Sequence, residues 1–141
     1  MKAAIEVVGA IIRQESRLLI AQRPPGKQEA LYWEFPGGKV EFGETPEESL
    51  RREIAEELGV SIQVGTFFGE VLHDYGGRLI HLSCYWAEVE SGEPVPLQCH
   101  DVRWIHPPQL NEADFAPADR PIVEKLRRYF AETLDVATDR G

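Results

Sequence analysis

GKVEFGETPEESLRREIAEELGV, Gly38 to Val60, is a glycine-rich loop feeding a single helix. Thr45 is a favourable N-cap, Pro46 suits the first helical position, and Glu48 completes a Thr-x-x-Glu capping box. Gly59 supplies the C-terminal stop. Between these signals Leu50, Ile54 and Leu58 recur every fourth residue and form a narrow apolar stripe. At ~100° per residue, Glu53, Glu56 and Glu57 fall within about a third of a turn beside that stripe, at the edge of the face the helix must bury. Three carboxylates on one flank raise one another's pKa values, and like charges four apart weaken a helix slightly. Arg52 can pair with Glu56 at the same spacing; a divalent cation would offset more. Hard oxygen ligands suit Mg²⁺ or Mn²⁺, and Mg²⁺ commonly takes one or two carboxylates plus substrate phosphates. Charge pattern alone leaves a solvated acidic helix face as the alternative.

The same stretch meets every fixed position of the Nudix box, with Gly38, Glu44, Arg52, Glu53, Ile54, Glu56, Glu57, Gly59 and Val60 at the required intervals. The chain therefore resembles the Nudix hydrolase family. EFPGGKVEFGETPEE (residues 34–48) and DFAPADRPIVEKL (residues 114–126) extend the likeness to its MutT-type branch, which contains 8-oxo-dGTP diphosphatases and CTP pyrophosphohydrolases. The resemblance implies a Mg²⁺-dependent enzyme (Mn²⁺ as substitute) that cuts nucleoside triphosphates to a monophosphate and pyrophosphate. Hydrolysis of nucleoside diphosphate sugars or dinucleoside polyphosphates, or a non-catalytic nucleotide-binding module, are the competing readings. Modules of that last kind commonly lose box carboxylates, which this chain keeps.

By the same resemblance Glu56, Glu57 and the Gly38 carbonyl are metal ligands, and Glu53 is a ligand or the base that activates water. Arg52 orients Glu53 or Glu56, and Glu44 reaches the metal through water or is a surface loop carboxylate. Relatives carry a further acidic ligand before the strand that here contains Trp104. QCHDVRW departs from their pattern, leaving Asp101 as the nearest replacement, His100 and Gln98 behind it, and an Asp capping a turn as the rival role. Arg23 matches a phosphate-contacting arginine and Phe35 an aromatic of the base pocket, unless Phe35 is simply core. Arg78 and Ile80 either border the base or take no part. Asp119 stands where base-reading residues stand. When ionised it is acceptor-only, which suits the exocyclic amine of cytosine or the N–H groups of an oxidised purine. It could equally cap the last helix. Tyr75 is similar to a tyrosine of dinucleoside polyphosphate hydrolases, or is a strand-end aromatic.

Composition agrees with one domain in 141 residues. With 43% hydrophobic residues, the chain can bury a real core. A net charge of -9 argues against a nucleic-acid polymer as partner, although metal ions and a few arginines let an acidic protein bind a triphosphate. Cys84 lies in an apolar run and reads as a core thiol; with Cys99 it makes no C-x-x-C pair, disulfide framework or zinc site. No signal peptide or membrane-spanning stretch is evident, so a cytoplasmic monomer or weak dimer is expected.

Strands are expected at Ala3–Arg13, Arg17–Arg23, Tyr32–Phe35, Ile62–Tyr75 (irregular at Gly69), Arg78–Val89 and Val102–Ile105. Gly76-Gly77 signals a tight hairpin, and Pro36-Gly37-Gly38 signals unusual torsions or close approach of a ligand. A second helix is expected over Ala118–Ala131, with Ile122, Leu126 and Tyr129/Phe130 inward. Residues 1–132 would form the domain and 133–141 a frayed tail. The order predicts an α/β (α+β) fold, a mixed sheet between helices in an α/β/α sandwich, as the Nudix resemblance also implies.

Overall fold

A computed structural model describes residues 3–140; Met1, Lys2 and Gly141, the extreme ends of the expected domain and tail, lie outside the described residues. The strands are β1 (Ile5–Gln14), β2 (Arg17–Gln22), β3 (Trp33–Glu34), β4 (Gly37–Lys39), β5 (Ser61–Asp74), β6 (Leu79–Ser91) and β7 (Asp101–Ile105). The helices are α1 (Pro46–Leu58) and α2 (Arg120–Arg140), with short 3-10 turns between β7 and α2. One mixed sheet runs β3-β2-β1-β6-β5, with β4 added to β1 and β7 to β2. β1 and β6 are parallel and the other pairs antiparallel.

Strand β1 explains the layering. Its side chains alternate between faces, as strand geometry requires, and both faces are covered. Val8, Ala10 and Ile12 pack with Leu50, Ile54 and Leu58 of α1 in one cluster. Ile11 packs in the other cluster with Ile122, Val123 and Leu126 of α2. The apolar stripe of α1 is thus buried against the sheet, each Leu or Ile contributing about 1.5–3 kcal/mol. Both ends of α1 form as the sequence predicts. Thr45 and Glu48 make the reciprocal capping box, and Gly59 turns left-handed at φ 69.

Three expectations need correction and one needs extending. The Pro36-Gly37-Gly38 segment contains strand β4, and neither glycine has a positive φ. What glycine supplies there is closeness to protein: a Cβ on Gly37 would collide with the Val8 carbonyl, and one on Gly38 with the Glu53 carboxylate. The expected irregularity at Gly69 is present, and the β5–β6 register also shifts between Val64 and Phe67 and between Ser61 and Ile62. Helix α2 starts at Arg120 behind a 3-10 turn and continues past Ala131 to Arg140; no Gly or Pro interrupts 132–140 to stop it. Finally, Tyr129 is 39% exposed, and Val123 takes an inward place in its stead.

Candidate active site

Helix α1 and strand β4 build one wall of the site. The Glu57 Oε2 accepts a hydrogen bond from the Gly37 amide at 3.0 Å, and the Glu53 carboxylate lies against the Cα of Gly38. Arg52 organises the neighbouring acids. Its Nε and Nη2 donate to the two oxygens of Glu44 at 2.6 and 2.9 Å, a bidentate pair. Its Nη1 donates to Glu53 at 2.9 Å and Glu56 at 3.2 Å, and Nη2 also reaches the Lys39 carbonyl at 3.1 Å. One guanidinium therefore ties the box loop, β4 and α1 together.

The electrostatics separate these carboxyls. The hydrogen bonds from Arg52, with one from the Glu41 amide, hold Glu44 down at about 2. Burial raises Glu53, against the opposing pull of Arg52. Burial, then the charge of Glu34, pushes Glu57 up to about 8. Among the described residues no basic side chain stands at ion-pair distance from Glu57, and a cation beside it would reverse the shift.

The opposite wall comes from β2, β3, the β5–β6 hairpin and the turn before α2. Arg23 pairs with Glu34 at 2.9 Å and donates to the Gln28 carbonyl at 2.7 Å. Phe35 is buried on Phe115, ring centroids 5.4 Å apart, and its amide donates to Asp119 Oδ2 at 3.1 Å. Asp119 is itself 7% exposed. Burial, followed by the charge of Glu34, drives its carboxyl well above the usual carboxylate range. In its protonated form such a carboxyl donates as well as accepts. Arg78 donates to Glu29 at 2.8 Å and lies over the Tyr75 ring at 4.6 Å.

Between the walls lies a cleft of about 650 Å³. It brings together Arg23, Phe35, Gly38, Glu53, Arg78 and Asp119, with Glu57, Tyr75 and Ile80 also on its lining. Arg52, Glu44, Glu56 and Asp101 stand outside that lining. Glu56 is exposed beside Arg52, and Asp101 accepts from the Val102 amide at 2.8 Å at the start of β7. Among the described residues no three His, Cys, Asp or Glu side chains already converge at metal-binding distance. Sequence reasoning missed Glu34 and Glu29, which line the cleft and occupy its two arginines. A charged residue inside the aromatic run YWEF was the available signal for Glu34; Glu29 had none. Cys84 is buried and Cys99 half-buried, both free thiols.

The donor set fits a divalent cation. Six acidic side chains, Glu29, Glu34, Glu41, Glu53, Glu57 and Asp119, line one cleft with Lys27, Lys39, Arg23 and Arg78, and both arginines are already paired with acids. With acids outnumbering cations on its lining, such a cleft favours added positive charge beside a polyphosphate.

The NUDIX domain model matches residues 4–126. The CTP pyrophosphohydrolase of Escherichia coli (strain K12) is 39% identical over 123 residues, covering 85% of this chain and 89% of the relative. The 8-oxo-dGTP diphosphatase of the same strain is 35% identical over 128 residues, covering 91% and 99%. The solution structure of the E. coli ORF135 protein superposes with a TM-score of 0.78 at 36% identity, over 92% of each chain. The chain belongs to the Nudix family and is a MutT-like Nudix hydrolase. Its mixed sheet with two helices is the Nudix fold. Among the described residues no helix is long and apolar enough to cross a membrane.

Proposed function

We propose that the protein is a Mg²⁺-dependent nucleoside triphosphate pyrophosphohydrolase that removes unwanted nucleotides from the precursor pool. It would convert a nucleoside triphosphate and water to the monophosphate and pyrophosphate, acting on CTP or dCTP or on oxidised triphosphates such as 8-oxo-dGTP. One observation carries the reading: Glu53 and Glu57 are held against Gly37–Gly38 in the same cleft whose far wall presents Asp119 and Phe35. Phosphate chemistry and base selection thereby share one cleft.

Glu53, Glu56 and Glu57 with the Gly38 carbonyl would hold Mg²⁺, or Mn²⁺ in its place, and the ion would supply the charge that neutralises phosphate oxygens. Glu53 would serve as a ligand to that ion or as the base that takes the proton of the attacking water. Arg52 keeps Glu53 aimed, with Glu44 as its anchor. Arg23 moves from Glu34 towards phosphate, and Arg78 borders the base. Phe35 floors the base pocket, and Asp119 offers a donor or an acceptor to the base edge. Retention of all three helix carboxylates, two of them lining the cleft, favours an enzyme over a binding module.

The test is a panel of CTP, dCTP, 8-oxo-dGTP and dGTP with Mg²⁺, compared by kcat/KM with product analysis. Pyrophosphate is the expected product, with cytosine or oxidised-guanine triphosphates preferred over dGTP. Orthophosphate alone would mean attack at a different phosphorus and would overturn the proposal.

A further inference from the structure

The turn that carries Asp119 is tied down from two directions. On the β3 side, the Ala116 amide donates to the Trp33 carbonyl at 3.0 Å, and the Phe35 amide donates to Asp119 itself. On the hairpin side, the Ala118 amide donates to the Tyr75 hydroxyl at 2.8 Å, a contact between residues 43 apart in sequence. Ala118 is 5% exposed, so its N–H needs a protein partner. The Tyr75 ring also carries the Arg78 guanidinium, which in turn reaches Glu29 in the β2–β3 connection. Its backbone is fixed by the Gly76-Gly77 turn: the Tyr75 amide donates to the Arg78 carbonyl at 2.9 Å, and Asp74 Oδ1 accepts from both glycine amides. One side chain thus joins the Asp119 turn, the hairpin and the loop at the mouth of the cleft.

We propose that Tyr75 is a positioning residue for nucleobase selection: its hydroxyl fixes the Ala118 amide, and with it the Asp119 carboxyl, while its ring holds Arg78 at the edge of the base pocket. This rests on the nucleotide reading above and deepens it. The hydroxyl oxygen accepts from Ala118 and through that turn acts on Asp119. Phenylalanine at this position would keep the ring under Arg78 but leave the Ala118 amide without its partner.

The experiment measures Kd for CMP, dCMP, 8-oxo-dGMP and dGMP by titration calorimetry with wild type, Y75F, D119A and the double variant, which needs no turnover. Y75F is expected to weaken the best-bound monophosphate about tenfold, the weight of one hydrogen bond, and the worst-bound one less, so discrimination narrows. In the D119A background the effect of Y75F should shrink below about twofold, because neighbours acting through one group are not additive. The Ala118 amide should also exchange faster with solvent in Y75F. An equal loss for all four nucleotides, a full effect retained in D119A, or unchanged Ala118 exchange would each overturn the proposal. Y75M replaces Y75F in the same cycle if the latter does not fold. Wild type that binds monophosphates but yields no pyrophosphate from triphosphates refutes the triphosphatase reading alone; failure to bind any of the four refutes both.

Discussion

Gly38 gives the sharpest separation between activity and stability. A Cβ added there would stand 2.8 Å from Glu53 Oε1 and closer still to its Cδ and Oε2, where ordinary contact begins at 3.4 Å. The carboxylate must therefore retreat by about 1 Å to restore van der Waals separation. Arg52 holds that carboxylate by a 2.9 Å hydrogen bond, so the retreat also strains the Arg52 network. Misplacing a catalytic group by this much costs about 10²-fold in rate. The fold should hardly notice. Gly38 has no positive φ, so alanine is allowed by the backbone and stiffens the unfolded chain by about 0.4–1 kcal/mol. A displaced rotamer costs a similar amount in the other direction, about 0.5–1.5 kcal/mol. G38A is thus expected to lose about 10²-fold in kcat/KM for pyrophosphate release, with a net stability change of about 1 kcal/mol or less. Gly43 is the control: its φ is 87 and nothing lies within 4 Å of an added Cβ. G43A should lose about 1 kcal/mol of stability to left-handed strain while keeping its rate. If G38A retains kcat/KM within about threefold of wild type, far short of the 10²-fold loss, Glu53 does not need its place against Gly38 and the site geometry argued above is wrong.

E53Q should lower kcat by about 10²–10⁴-fold, the usual weight of a general base, while nucleotide Kd measured by calorimetry stays near wild type; intact turnover would remove Glu53 from the chemistry. I54A deletes a fully buried side chain between α1 and the sheet and should cost about 2–5 kcal/mol in urea unfolding; a loss under about 1 kcal/mol would mean that α1 is not packed as described. His81 Nδ1 donates to Glu6 Oε2 at 2.6 Å, with Glu70 at 3.6 Å, and the Glu6 hydrogen bond raises its pKa, against the burial that lowers it. A raised folded value means the contribution is complete below the unfolded pKa of about 6.5 and is lost as pH rises through the folded one. Melting of wild type against H81Q should differ most in mildly acidic buffer, by no more than about 1 kcal/mol since Glu6 is mostly exposed, and the difference should vanish in alkaline buffer. A gap that widens with pH would contradict the pairing.

Local chemistry made much of this protein legible. The capping box at Thr45 and Glu48, the left-handed Gly59 and the Gly76-Gly77 turn each depend on residues within one turn of chain, and each appears in the structure. So does the i, i+4 pair of Arg52 and Glu56. The three residues of β4 did not, because a strand that short has no periodicity and exists through its pairing with β1. The Arg52–Glu44 fork and the steric need for Gly38 were likewise hidden, although the residues themselves were named.

The sequence by itself determined the helix, its caps, its buried stripe and the acids along its edge, since those follow from spacing on one element. Tertiary structure alone decided which acids share a cleft and which protonation state they favour. Asp119 reaches Phe35 across 84 residues, and Glu34 faces Asp119 because β3, β2 and the turn before α2 meet. A carboxyl's proton affinity is set by burial and by charges within a few ångströms, and those distances come into being when the sheet closes around them.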